Sequence, residues 1–176
     1  MNSIGRLDNW HNDCEKALNQ QINLEYTASY QYHALFAYFE RDNVSLKNIA
    51  KFFYNACKEE REHADNFVKY QIMRGGQVIL ENLSKPIHEF NTNNQKNEVL
   101  IAFELALELE QKVYKNLLNL HKIADNKEDY QFSDYIENNF LEEQIKSIYE
   151  LSSIIGKLKR IGNNGQGIWH FDNTFK

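Results

Sequence analysis

In four long stretches of this chain apolar residues recur at alternating steps of three and four, and little interrupts them, since 176 residues include only seven Gly and one Pro. That spacing keeps one face of a helix turned toward a core, whereas a β-sandwich or barrel needs many more turn residues. The predicted helices cover about 8–41, 45–74, 97–124 and 127–161, with Asp8 as the first N-cap and glycines at 75, 76 and 162 as stops. A short amphipathic helix is expected over about 166–174. The breaks after the first and third helices are short and force antiparallel hairpins. The segment from Gly75 to Lys96 is long. A helix of this size is about 43 Å long, and 22 extended residues reach about 70 Å, so the segment can cross the whole bundle. The fold class is therefore all-α: one domain over 1–176, a four-helix bundle of two hairpins joined by a long crossover, plus a short C-terminal helix. Val78, Ile79, Leu80 and Leu83 are expected to pack the crossover against the bundle.

Composition narrows the partners. The formal charge is −5, without the basic excess that binding nucleic acid requires. The longest apolar run, Ala34 to Phe39, is six residues, against the roughly 18 that a membrane span needs. Residues 1–13, MNSIGRLDNWHND, have no apolar stretch fit for a secretory signal, and their acidic and amide residues do not suit a transit peptide, so the folded protein is expected to start here. Cys14 and Cys57 stand far apart with no CxxC, which suggests neither a thiolate zinc site nor a disulfide framework and makes a cytoplasmic setting the expectation.

Each apolar stripe is interrupted by polar residues near its middle. The first reads Leu18, Gln21, Glu25, Ala28, Tyr32, Leu35, Phe39; the second Ile49, Phe53, Ala56, Glu60, His63, Phe67, Tyr70. The third reads Leu100, Phe103, Leu107, Glu110, Tyr114, Leu117, His121, and the fourth Leu141, Gln144, Ile148, Leu151, Ile155, Leu158. Glu25, Glu60, His63, Glu110 and Gln144 thus lie at one depth whichever way the helices run. Three buried carboxylates together are costly unless a cation joins them, and oxygen ligands with one imidazole suit Fe, Mn or Zn. Glu25 precedes Glu60 by 35 residues and Glu110 precedes Gln144 by 34, so the hairpins read as a degenerate repeat. A symmetric dinuclear carboxylate site takes one Glu from each of two helices and Glu-x-x-His from each of the others. The first half obeys this. In the second, Gln144 to Ser147 supply neither the carboxylate nor the histidine, so that metal position is expected to bind weakly.

Singly, each piece has a plainer reading. KEEREHAD also fits a solvated charged face, Tyr32 and Tyr114 fit core tyrosines, Gln144 fits a surface amide, and Glu142 or Glu143 offers a carboxylate as well. The conjunction of four helices, one depth and the repeat carries the metal reading.

The segments QINLEYTASYQY, LKNIAKFFYNACKEEREHA, RGG at 74–76, LHKIA and DYIENNFLEEQIKSI resemble the eukaryotic ferritins from about Trp10 to Gly162, specifically their heavy-type, ferroxidase-competent subunits. Light-type subunits lack the glutamate and histidine present here at 60 and 63. By this resemblance Glu25, Glu60 and His63 look like ligands of a first iron, with Glu60 bridging, and Glu110 like a ligand of the second. Gln144 looks like the family's assisting glutamine and Tyr32 like the tyrosine beside the site. The resemblance implies a ferritin-like bundle with a di-iron site and no haem. It further implies a homo-oligomeric 24-subunit shell of octahedral symmetry that oxidises Fe(II) with O2 and stores ferric mineral. Asp134 and Glu137 match the acidic residues of the three-fold iron channel, and Glu59, Glu62 and Asp65 the inner carboxylates where mineral nucleates. From the residues alone, an acidic first turn and a solvated face explain these equally well. The alternative class is a non-catalytic shell subunit or helical interaction protein with a vestigial or zinc-binding site. The crossover segment PIHEFNTNNQKNE is longer than in the animal ferritins, and the final segment is shorter than the family counterpart that lines the four-fold pore.

Overall fold

The computed structural model describes residues 4–90 and 96–175; residues 91–95 of the crossover lie outside them. The helices are α1 (Asn12–Glu40), α2 (Lys47–Met73), α3 (Glu98–Asn126), α4 (Tyr130–Ile136), a π turn over Glu137–Leu141, α5 (Glu142–Ile161) and α6 (Gly165–Thr174). α4, the π turn and α5 run on as the fourth bundle helix. α1 packs along α2, and α3 along α4 and α5. Among the described residues no helix is long and apolar enough to cross a membrane.

Two apolar cores fill the bundle. One holds Phe39, Phe53, Phe103 and Leu158; the other holds Trp10, Leu18, Phe67, Leu117 and Phe132. α1 runs from the second core to the first, α2 and α3 run from the first to the second, and the fourth helix runs back. α2 and α3 are therefore parallel, and the crossover spans the bundle's length. Between the cores lies a layer of buried polar side chains: Gln21, Glu25, Glu60, His63, Glu110 and Gln144.

Several boundaries differ from expectation for local reasons. α1 starts at Asn12 rather than Asp8, with His11 at the N-cap and no side-chain cap bond. Trp10 is buried against Tyr70 and Phe132, and the chain turns before the helix to seat its ring. α2 begins at Lys47 because Ser45 has φ of 53°. Its start is capped from a distant helix: Asp172 accepts from the backbone N–H groups of Asn48 (3.1 Å) and Ile49 (2.9 Å). The stop after Arg74 is as read from the sequence, for Gly75 takes φ +74° and an added Cβ would meet Arg6 backbone at 2.3 Å. The fourth helix opens at Tyr130, since Glu128 has φ of 56° and Asp129 accepts from the Phe132 N–H.

The crossover corrects another expectation. Ile79, Leu80 and Leu83 are exposed, and Phe90 is the ring that inserts, 4.9 Å from Tyr38. Side-chain amides of α1 hold the extended backbone instead. Gln31 both donates to the Ile87 carbonyl (2.8 Å) and accepts from its N–H (2.9 Å), and Asn19 likewise engages Gln77 O (2.9 Å) and Ile79 N (3.0 Å). An extended segment without a strand partner needs such donors and acceptors.

Candidate metal centre

The helical periodicity of α1 and α2 brings Glu25, Glu60 and His63 to one point. One ligand atom from each lies within 4.8 Å of the others, and all three residues are buried. His63 Nδ1 is 3.7 Å from Glu60 Oε2, and its Nε2 is 3.5 Å from Glu143 Oε2. Gln21, one turn before Glu25, donates to Glu25 Oε1 at 2.8 Å. Oε2 of Glu25 and Oε2 of Glu60 are buried with no donor among the described residues.

Glu110, on α3, forms the other half. Its two carboxylate oxygens accept from Tyr32 Oη and Gln144 Nε2, and Gln144 also donates to the Glu110 carbonyl at 3.2 Å. Tyr32 is 1% exposed, and burial followed by the Glu110 charge holds its phenol well above the ordinary range. Glu60 faces both halves. Burial first and the Glu110 charge second push it well above a usual carboxylate, and burial with the Glu60 charge does the same to Glu25.

Those displacements set a sign for stability. Below pH of about 4.5 both carboxyls are protonated folded or unfolded. As pH rises past that value the unfolded chain ionises first, so the metal-free protein loses stability up to the raised folded values. Glu60→Gln should therefore raise the stability of chelator-treated protein at pH 7 by about 1–4 kcal/mol, at roughly 2–4 °C in Tm per kcal/mol. The gain should vanish near pH 4. Thermal scans at the two pH values check this, and a lower Tm for the variant at pH 7 would contradict it.

The remaining expected residues lie around this centre. Glu59 and Glu62 border a recess of about 620 Å³ that His63 and Glu143 also line. Part-burial, then the neighbouring Glu143 carboxyl across the recess, push Glu59 up to about 7. Asp65 accepts from Tyr26 Oη at 3.1 Å and pairs with Arg61 at 3.4 Å. Asp134 and Glu137 are exposed and stand apart from the cluster. Asp134 accepts from Asn138 at 2.8 Å, and Glu137 meets His121 Nε2 of α3 at 2.6 Å. Three features were not assigned from sequence: Glu143 against His63, Gln21 on Glu25, and the π turn that widens the helix ahead of Gln144. The third stripe holds at Leu100, Phe103, Glu110 and Leu117 and slips by one residue between them, since Ala106, Val113 and Leu120 are buried where Leu107, Tyr114 and His121 only flank. Arrangement and donor types fit a divalent cation between the orphaned oxygens, which lack only a positive partner.

Comparison with known proteins agrees with this architecture. A ferritin-like domain matches residues 15–161. "Ferritin, chloroplastic" of Malus baccata var. xiaojinensis is 51% identical over 164 residues, covering 93% of this chain and 65% of that protein. "Ferritin-2, chloroplastic" of Zea mays is 51% identical over 160 residues (91% and 63%), and "Ferritin-3, chloroplastic" of Arabidopsis thaliana is 50% identical over 160 residues (91% and 61%). The chain thus spans less than two thirds of the length of these relatives. Their names overturn the cytoplasmic expectation and point to a plastid. Cys14 and Cys57 are unpaired and carry no address, so they could not distinguish one compartment from another. With the domain match across most of its length and half-identical ferritins beside it, the chain belongs to the ferritin family.

Proposed function

We infer that this protein stores iron and is itself a ferroxidase. It takes Fe(II) into the bundle, oxidises it with O2 and passes the ferric product to storage. The observation that carries this is the buried anionic layer, with two carboxylate oxygens left without donors between two apolar cores. In the balanced step each of two Fe(II) ions gives one electron, and O2 gains two electrons and two protons as hydrogen peroxide. Glu25, Glu60 and His63 are the proposed holders of one ion, and Glu60 with Glu110 of the other. Tyr32 and Gln144 already engage both Glu110 oxygens, so the second ion competes with them and binds more weakly, which suits a product that must leave. Anionic oxygen ligands favour the harder Fe(III) over Fe(II).

The recess lined by Glu59, Glu62 and Glu143 is a route out of the bundle, and Glu59, Glu62 and Asp65 are proposed nucleation carboxylates. The assembly proposed is a homo-oligomeric shell of 24 subunits. Exposed Ile72, Met73, Ile79, Leu80, Tyr149 and Trp169 support burial against further copies. Relatives named chloroplastic support a plastid setting. In the shell, Asp134 and Glu137 draw Fe(II) through a channel by their focused negative potential. Asp134→Asn with Glu137→Gln should slow uptake several-fold at low Fe(II) and low salt while the assembly stays intact by light scattering; unchanged uptake would reject the channel. The reading as a whole is tested by mixing metal-free protein with Fe(II) in air. Protein-held iron should turn ferric faster than free Fe(II) at the same pH, and equal rates would reject it.

A further inference from the structure

A continuous run of aromatic rings leads away from His63. His63 stands edge-on to Phe140 with centres 5.6 Å apart, and Phe140 meets Tyr135 at 5.6 Å. Tyr135 stacks on Tyr70 at 4.1 Å with 14° between the planes, and Tyr70 meets Trp10 edge-on at 5.9 Å. Phenylalanine would pack as well as either tyrosine, but a phenol gives up an electron far more readily. It does so as it loses its proton, and that requirement separates the members of the run. Tyr70 is enclosed away from solvent that could take its proton, accepts from Arg74 Nη1 at 2.6 Å and donates to the Gln131 amide oxygen. The Arg74 guanidinium also lies 4.6 Å from the Trp10 ring centre and 5.6 Å from that of Tyr70, and its charge opposes electron loss from both. Tyr135 is half-buried, none of the cation–ring contacts among the described residues falls on it, and its hydroxyl makes one long bond to Asn66 O at 3.3 Å. Tyr32 donates to Glu110 and lies outside this run of rings, so it is the competing donor that the Tyr32→Phe variant separates from Tyr135.

We propose that Tyr135 is a one-electron donor to the iron site, through Phe140 and His63, used when hydrogen peroxide meets a bundle holding a single Fe(II). The proposal rests on the ferroxidase reading, which supplies both iron and peroxide. The O–O bond breaks, Fe(II) gives one electron and the Tyr135 O–H the other. The phenol proton and one from solvent complete two water molecules, leaving Fe(III) and a neutral tyrosyl radical. Without the donor, the same encounter yields Fe(III), hydroxide and a free hydroxyl radical. A further Fe(II) ion restores the phenol, giving its electron while solvent returns the proton.

The test is freeze-quench electron paramagnetic resonance on full-length protein loaded with one Fe(II) per subunit and mixed with hydrogen peroxide. The native protein should show a tyrosyl radical whose hyperfine pattern collapses with ring-deuterated tyrosine. Tyr135→Phe, which keeps the ring stack, should cut that signal several-fold and raise hydroxyl-radical spin-trap adducts several-fold. A signal unchanged in Tyr135→Phe, or lost in Tyr32→Phe and kept in Tyr135→Phe, would overturn the proposal, as would absence of any radical in the native protein. A parallel arm with two Fe(II) per subunit in air reads oxidation alone. Oxidation there should be equal in native and Tyr135→Phe proteins, and its absence from both would unseat the ferroxidase reading rather than the donor.

Discussion

Glu60→Ala combined with His63→Ala should slow Fe(II) oxidation by at least about 100-fold, the upper range seen when even residues behind a metal ligand are removed. Glu60 is the one carboxylate that faces both Glu25 and Glu110, and His63 supplies the imidazole at the same point. Without them Glu25 keeps only its bond from Gln21, and Glu110 stays engaged by Tyr32 and Gln144. The two remaining carboxylates no longer share an ion. The variant should stay folded, because alanine is a strong helix former and a buried charge is relieved as packing is lost. Stopped-flow absorbance measures the rate, with circular dichroism as the check on helix content. A loss of less than about ten-fold, or 1.4 kcal/mol of barrier, would remove both residues from the oxidation step.

Asp129→Ala should destabilise the bundle by about 3–5 kcal/mol, the usual cost of stranding one member of a buried ion pair. Arg74 and Asp129 are almost fully buried and meet through two hydrogen bonds, Nη2 to Oδ2 at 2.7 Å and Nη1 to Oδ1 at 3.2 Å. Asp129 also caps α4 through the Phe132 N–H, so the alanine removes an N-cap along with the pair. The pair ties the end of α2 to the start of the fourth helix, and with it the depth at which Glu60 and Gln144 lie. Denaturant unfolding of metal-free protein reads the loss. A change under about 1 kcal/mol would mean that solvent reaches Arg74 after all.

The bundle was legible in the sequence because its polar interruptions fall on clean stripes. In α1 every stripe residue from Leu18 to Phe39 is buried, and a single 3.6-residue period accounts for them. α3 was harder to register, since Leu105, Leu107 and Leu109 place apolar side chains on both flanks ahead of Glu110; Leu100, Phe103, Glu110 and Leu117 were read correctly, while Leu107, Tyr114 and His121 stand one residue after the buried Ala106, Val113 and Leu120. The π turn left a trace that was not used. Phe132, Ile136, Phe140 and Gln144 are spaced by four throughout, and each such step overruns an ideal helix by about 40°. A wider turn at 137–141 absorbs the drift and lets Phe140 and Gln144 both point inward. The crossover misled because apolar residues in an extended segment were assumed to seek the bundle, whereas amide side chains of α1 fix its backbone and leave Ile79 and Leu80 outside. Glu143 could not be told from Glu142 until the helix phase after the π turn was known. The pairing of Asp172 with the start of α2 joins residues more than 120 apart, beyond any local pattern.

The central claim is that each bundle captures two Fe(II) ions for oxidation, and the most direct test is the amplitude of the fast phase in stopped-flow absorbance as Fe(II) per subunit is raised in air. A burst that grows with iron and saturates at two Fe(II) per subunit is the predicted result. A single slow phase, growing without saturation as total iron grows, would contradict it.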